Sequence, residues 1–252
     1  MTAPHELTSP SGPARTALFW DIDGTLLSTG GAGRVAWVQA AADVWGRDLD
    51  PQSVRTAGLT DVEIAVDIAR HLSGEPRGDE VGRLIRRYEE LPPEQLRVGA
   101  GAVLPGAREI LEDLAGRPDV TSVLLTGNTE AGARVKLRHY GLDRYFAVGA
   151  FADETTDRIA IARKGWELVT RLLGTPPLPD RSFVIGDTPH DIRCARAIGV
   201  RAVAVATGAY SAAQLGAHRP WWVVEQLPPP GTFAARLGLL GSPALDTREA
   251  AQ

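Results

Sequence analysis

Four short apolar runs, widely spaced along the chain, limit its fold more than any other feature. They are residues 16–20, ending in Ala17-Leu18-Phe19-Trp20, then Val120-Thr121-Ser122-Val123-Leu124-Leu125, Ser182-Phe183-Val184-Ile185 and Val200-Arg201-Ala202-Val203-Ala204-Val205. Each is nearly continuous instead of alternating apolar with polar, the pattern of strands covered on both faces. Between them, helical periodicity predicts helices over 105–116, with Leu111 and Leu114 inward, and over 129–140, 158–173 and 190–198. Strands alternating with helices predict an α/β fold with a parallel sheet and right-handed crossovers. Trp221–Val224 offers one more strand.

Residues 33 to about 97 break this rhythm, reading as helices over 33–45, 60–72 and 78–90 with no strand between them. A helical insertion therefore follows the first strand. Small residues flank it, Ser28-Thr29-Gly30-Gly31-Ala32-Gly33 on entry and Val98-Gly99-Ala100-Gly101-Ala102 on exit, and these can act as hinges or simply as turns. The expected organisation is a flexible tail over 1–15, a catalytic core over 16–29 and 103–227, a helical cap over 30–102, and a weakly ordered C-terminal tail over 228–252, which opens with three prolines. The 252 residues hold a sizeable core, and no apolar run reaches the roughly 18–20 residues of a membrane span. A net charge of -4 disfavours nucleic acid as the main partner, and a single cysteine, Cys194, makes a reducing cytoplasm the default compartment. Oligomeric state is not legible.

The chemistry concentrates at strand ends. Asp21-Ile22-Asp23-Gly24-Thr25 follows the first run and places two carboxylates where open α/β sheets bind ligands. Such a pair can divide labour, one acid staying ionised and the other carrying a proton. Thr126-Gly127-Asn128 follows the second run with a hydroxyl, a glycine amide and a carboxamide, all able to donate to phosphate oxygens. Gly186-Asp187-Thr188-Pro189-His190-Asp191 follows the third. Asp187 joins Asp21, while Asp191 serves as a helix N-cap, a metal contact, or both. Carboxylates without a His or Cys cluster suit a hard cation, Mg²⁺ being the expected one. A dianionic phosphoryl group also needs a protein cation. Arg158, at the start of its helix, is preferred over Arg163 and over Lys164, which remains the alternative.

These motifs, in this order and with a helical insertion after the first, resemble the haloacid dehalogenase-like superfamily over roughly residues 16–227, in particular its phosphoglycolate phosphatase-like branch with an α-helical cap. The resemblance implies a Rossmann-like core with helices on both faces. It implies a Mg²⁺-dependent phosphomonoesterase acting on a small phosphorylated metabolite through an aspartyl-phosphate. Asp21 is then the nucleophile and Asp23 the general acid and base. The metal is held by Asp21, the Asp23 carbonyl and Asp187, with Asp191 behind them. Thr126, Gly127, Asn128 and Arg158 grip the phosphoryl oxygens, Thr126 and Arg158 also counting as catalytic. The motif III region departs from the frequent Lys-Pro pattern.

Within that superfamily, a dehalogenase has no leaving alkoxide and does not need Asp23. A Schiff-base phosphonate hydrolase wants a cap lysine, and residues 27–105 contain none. A sugar phosphomutase remains as an alternative, with His71 or cap arginines taking part, and so does a non-catalytic phosphate-binding module. The segment Arg55–Asp61, with Gly58 and Thr60, is placed to reach over the site. Within it an arginine can read a carboxylate or second phosphate, or lie at the surface while Thr60 or Asp61 caps a helix.

Overall fold

All five residues of Thr16–Trp20 are buried, and this strand is the axis of the molecule. In chain order the strands are β1 (Thr16–Trp20), β2 (Leu27–Ser28), β3 (Ala102–Val103), β4 (Val120–Leu125), β5 (Gly149–Ala150), β6 (Ser182–Gly186), β7 (Arg201–Val205) and β8 (Trp222–Val224). The α-helices are α1 (Ala32–Trp45), α2 (Asp61–Ser73), α3 (Glu80–Glu90), α4 (Pro92–Val98), α5 (Ala107–Ala115), α6 (Glu130–His139), α7 (Arg158–Leu173), α8 (Pro189–Ala197), α9 (Ala212–Ala217) and α10 (Pro230–Leu237). The computed structural model describes residues 15–239 apart from 77, 78 and 154. The tail expected before residue 15, and residues 240–252 of the one expected at the other end, lie outside these.

A six-stranded parallel sheet has the order β5-β4-β1-β6-β7-β8. From β1 the chain builds outward through β4 and β5, then returns to the other side of β1 for β6, β7 and β8. The reversal opens a crevice at the carboxyl ends of β1, β4 and β6, where such sheets bind ligands. Side chains alternate across β1: Leu18 and Trp20 pack with Leu111, Leu137 and Phe233, while Ala17 and Phe19 pack with Ile161, Val169 and Ile192. Helices cover both faces, so the strand sequences are apolar throughout. The two residues of β5 are too few to show a pattern, and α9 also escaped the sequence reading.

The stretch from Pro228 to Leu239 corrects the expectation of a weakly ordered tail. Pro230 opens α10, and Phe233, Ala234 and Leu237 are buried on its inward face. The Phe233 ring stacks on Trp20 at 5.8 Å and faces Trp222 at 6.3 Å. The three prolines begin a helix instead of marking disorder, because proline suits the first turn, where no amide hydrogen is needed. Phe233→Ala is expected to cost about 3–5 kcal/mol in chemical denaturation. A loss under 1 kcal/mol would show that α10 is dispensable to the core.

Within the insertion, a third apolar cluster joins α1, α2 and α3 through Trp37, Ile64, Ile68, Leu84 and Tyr88. Trp37 and Tyr88 stack with centroids 3.8 Å apart and planes within 3°. Helix α4, not foreseen, starts on Pro92-Pro93, again a first turn instead of a break. The two linkers run side by side as the antiparallel pair β2 and β3. Gly30, at φ +60°, lies so close to Ala100 and Gly101 that a Cβ would stand 2.6 Å from their backbone. The linker glycines therefore permit close apposition of two chains as well as turns.

Candidate active site

Asp21 directly follows β1, and its amide donates to the Ile185 carbonyl at 3.0 Å, extending the β1 and β6 pairing by one step. Its carboxylate meets those of Asp187 and Asp191, with one oxygen of each lying within 4.8 Å of the others. All three residues are buried. Gly24 has φ +82°, and a Cβ on it or on Gly208 would overlap the Asp187 carboxylate. The chain thus folds tightly around that acid. Asp187 Oδ1 is buried without a hydrogen-bond partner among the described residues. An orphaned carboxylate oxygen among hard oxygen donors fits a divalent cation such as Mg²⁺.

Asp191 is not itself the N-cap, one of the two roles expected of it. Thr188 is the N-cap of α8, and Asp191, three residues on, accepts from its amide at 3.0 Å and its hydroxyl at 2.6 Å. The other Asp191 oxygen accepts from Arg158 Nη2 at 2.8 Å, and that nitrogen lies 3.8 Å from Asp21 Oδ1. Arg158 is therefore the cation brought to the acids. Lys164, the alternative, and Arg163 are exposed further along α7. Burial opposes the Arg158 charge, but Asp191 and Asp21 outweigh it and hold the guanidinium above its ordinary range.

At the end of β4, Thr126 and Asn128 are buried. The Asn128 carboxamide does not stand open as a phosphate donor. Its Nδ2 donates to Asp23 Oδ2 at 2.9 Å and Thr126 Oγ1 at 2.7 Å, while its Oδ1 accepts from Lys136 Nζ at 2.5 Å. Lys136 also donates to Asp23 Oδ2, at 2.6 Å. Two donors thus converge on one Asp23 oxygen, and the other has no partner among the described residues. Burial disfavours the Lys136 charge, yet Asp23, Tyr88 and Asp61 overcome this and raise its pKa. Gly127 needs its missing side chain: a Cβ there would stand 2.8 Å from the Leu59 carbonyl and 2.9 Å from Arg158 Nη1.

The acids repel one another strongly. Burial, and then Asp191, raise the Asp21 carboxyl to about 7 despite Arg158, and burial followed by Asp21 raises Asp187 to about 9. A raised folded-state pKa means that the folded protein binds these protons more tightly than the unfolded chain does. The stability that these two groups contribute to the metal-free protein is then fully present below the ordinary carboxylate range and is lost as pH rises through about 7 and 9. In chelator, the melting temperature is expected to fall between about pH 5 and 9, and Mg²⁺ to raise it more at about pH 8 than at about pH 5. An equal metal effect at both pH values would count against the Asp21 and Asp187 pair as the metal site.

The insertion meets the core directly above these groups. Thr60 caps α2 with Glu63, as one sequence reading held, but Asp61 crosses to the core: its amide donates to the Gly127 carbonyl at 2.7 Å and its carboxylate accepts from the Thr129 amide at 2.8 Å. The Gly58 carbonyl accepts from Arg158 Nη1 at 3.3 Å. Arg55 instead pairs with Asp67 at the surface. His71 is exposed and lines a separate small cavity, so of the groups named for a mutase it lies away from the acids while a cap arginine, Arg34, lines the main cavity. Between insertion and core lies a cavity of about 500 Å³, lined by both parts, within the range of small-metabolite sites. Cys194 is buried on α8 with its thiol pushed up to about 12 by burial, so it is no nucleophile.

A sequence profile of the haloacid dehalogenase-like hydrolases matches residues 18–196. The chain belongs to that family. A probable phosphatase, IndB of Dickeya dadantii (strain 3937), is 28% identical over 210 residues, 82% of this chain and 88% of that protein. CbbY of Rhodobacter sphaeroides, solved in complex with phosphate, superimposes with a TM-score of 0.67 at 21% identity, over 84% of this chain and 95% of that one. A predicted phosphoglycolate phosphatase from Haemophilus somnus 129pt gives 0.66 at 17% identity, over 88% and 98%. The two structures share the fold with this chain.

The residue that sequence reasoning missed is Lys136. It lies outside the four segments that carry the resemblance to haloacid dehalogenase-like hydrolases. A signal was present, since Ala133, Lys136 and Leu137 follow the spacing of an inward helix face, and all three are buried. A lysine on such a stripe, in a chain with only one other, needs a buried partner.

Proposed function

We propose that this hydrolase is a Mg²⁺-dependent phosphomonoesterase acting on a small phosphorylated metabolite through an aspartyl-phosphate, with residues 30–102 serving as a cap domain. One observation carries the reading: a buried Asp21 beside Arg158 and Asp187, with a second acid, Asp23, held through a single oxygen by Lys136 and Asn128. The phosphatase names among its relatives support it.

In this mechanism the Asp21 carboxylate attacks phosphorus as the bond to the ester oxygen breaks, and Asp23 gives the departing alkoxide its proton. Water then attacks the phosphoryl group and Asp23 takes its proton, which frees phosphate and Asp21. The free Asp23 oxygen, Oδ1, is the one available to carry that proton, because Oδ2 accepts from Lys136 and Asn128. The Thr126 hydroxyl, the Gly127 amide and Arg158 are the donors offered to the phosphoryl oxygens. Asn128 orients Asp23 instead. Asp21, the Asp23 carbonyl and Asp187 would hold Mg²⁺, which supplies positive charge against the repulsion between carboxylates and phosphate. The contacts of Gly58 and Asp61 with the core fit an insertion that shields the reaction from water.

The test is hydrolysis of para-nitrophenyl phosphate with Mg²⁺ and with chelator, followed by rapid acid quench and mapping of the phosphorylated peptide. Mg²⁺-dependent release with the label on Asp21 is expected. Metal-independent release, or label elsewhere, would overturn the reading.

A further inference from the structure

The wall of the cavity formed by the insertion carries polar groups that the proposed chemistry does not use. Of the basic side chains lining the cavity, Lys136 is held by Asp23 and Arg158 by Asp191. Arg34, in the first turn of α1, is exposed and has no ion pair or side-chain hydrogen bond among the described residues. Tyr88 is 1% exposed, and its hydroxyl makes no hydrogen bond among the described residues although it lines the same cavity. That hydroxyl lies 4.0 Å from where a Cβ on Gly33 would stand, so it sits beside the first turn of α1. Stacking on Trp37 fixes the ring there.

The first turn of α1 is itself open. Gly31 is its N-cap and supplies no side chain, no acid lies in the turn, and the amides of Gly33 and Arg34 meet no acceptor among the described residues. A guanidinium, a buried phenol and unbonded amides on one wall are all donors. The charges felt by the phenol are mixed, Asp61, Asp23 and Glu89 against Lys136, and one Asp61 oxygen is engaged by the Thr129 amide.

We propose that Arg34, Tyr88 and the first amides of α1 form a second anion subsite, which takes a carboxylate or phosphate carried by the substrate away from its scissile phosphoryl group. This rests on the phosphomonoesterase reading and narrows it. The substrate class is a phosphorylated acid or a bisphosphate. A rigid aromatic donor and a preformed helix end bind such a group with little ordering cost.

Three esters test it with the full chain: ethyl phosphate, which has no second anion, 2-phosphoglycolate, with a carboxylate, and propane-1,3-diol bisphosphate, with a phosphate. The wild type is expected to favour at least one anionic ester over ethyl phosphate by roughly 10–100-fold in kcat/KM, mostly through KM. The better of the two anionic esters identifies which anion is read. In Arg34→Gln that ratio should fall to near one, in Tyr88→Phe by about threefold to tenfold, while surface Arg55→Gln keeps it. Asp21-dependent turnover with no preference, or a preference that survives Arg34→Gln, overturns the subsite alone. No Asp21-dependent turnover of any ester overturns the phosphomonoesterase reading instead. Calorimetric binding of the two anionic esters to Asp21→Asn, with and without Arg34→Gln, then decides the subsite. Loss of affinity in the double variant supports it, and equal affinity overturns it.

Discussion

Asp21→Asn is expected to abolish turnover and, at the same time, to stabilise the metal-free protein. Removing the proposed nucleophile should lower kcat by roughly 10⁴–10⁶-fold, because the remaining donors would still bind the phosphoryl group with no covalent step to follow. Stability should move the other way. Asp21 is buried beside Asp187 and Asp191, and its carboxyl is raised to about 7, so above that pH the folded state bears the cost of an ionised acid among acids. An amide of the same shape relieves it. A gain on the order of 1–2 kcal/mol, or about 2–8 °C in Tm, is expected at about pH 8 in chelator, shrinking towards about pH 5. The tension belongs to active sites that hold like charges together for chemistry. Scanning calorimetry of both proteins at the two pH values measures it, and a destabilised Asp21→Asn would contradict the repulsion.

Lys136→Met should have the second largest effect, and here activity and stability fall together. The ammonium lies between Asp23 Oδ2 and Asn128 Oδ1, and the methionine would leave Asn128 Oδ1 without a donor and Asp23 Oδ2 with Asn128 Nδ2 alone. Breaking a buried pair costs about 3–5 kcal/mol. The low end is expected, because the Asp23 side chain is 41% exposed and recovers some hydration. Turnover should drop about 10²-fold, since Asp23 would lose one of the two donors that fix its orientation. Urea denaturation and steady-state kinetics read the two effects. Turnover within twofold of wild type would show that Asn128 alone orients Asp23.

The two predictions also mark what the sequence disclosed and what it hid. Asp21, Thr126 and Asp187 each stand within one residue of a strand end, so local pattern sufficed to single them out, and the parallel sheet places those strand ends side by side. The Arg158 choice rested on its place at the start of a helix, and the structure brings that residue to Asp191 and Asp21. Lys136 acts across 113 residues of sequence on Asp23, and no local motif encodes such a contact. Asn128 was found but given to phosphate, because a carboxamide's partners depend on neighbours that the sequence does not order in space. The arginine sought near Arg55 turned out to pair at the surface, while Arg34 lines the cavity. Helix α10 was hidden by its prolines, whose meaning reverses between the start of a helix and its interior.

The central position of β1 also bears on how the chain is made. Its partner β4 lies just over a hundred residues later, and β6 follows another sixty residues on. At ribosomal speeds the first partner is synthesised roughly 5–20 s after β1. Through that interval this fully buried strand has neither edge paired, a state open to self-association. Nascent chains of this protein should therefore depend on holdase chaperones until the sheet can close around β1.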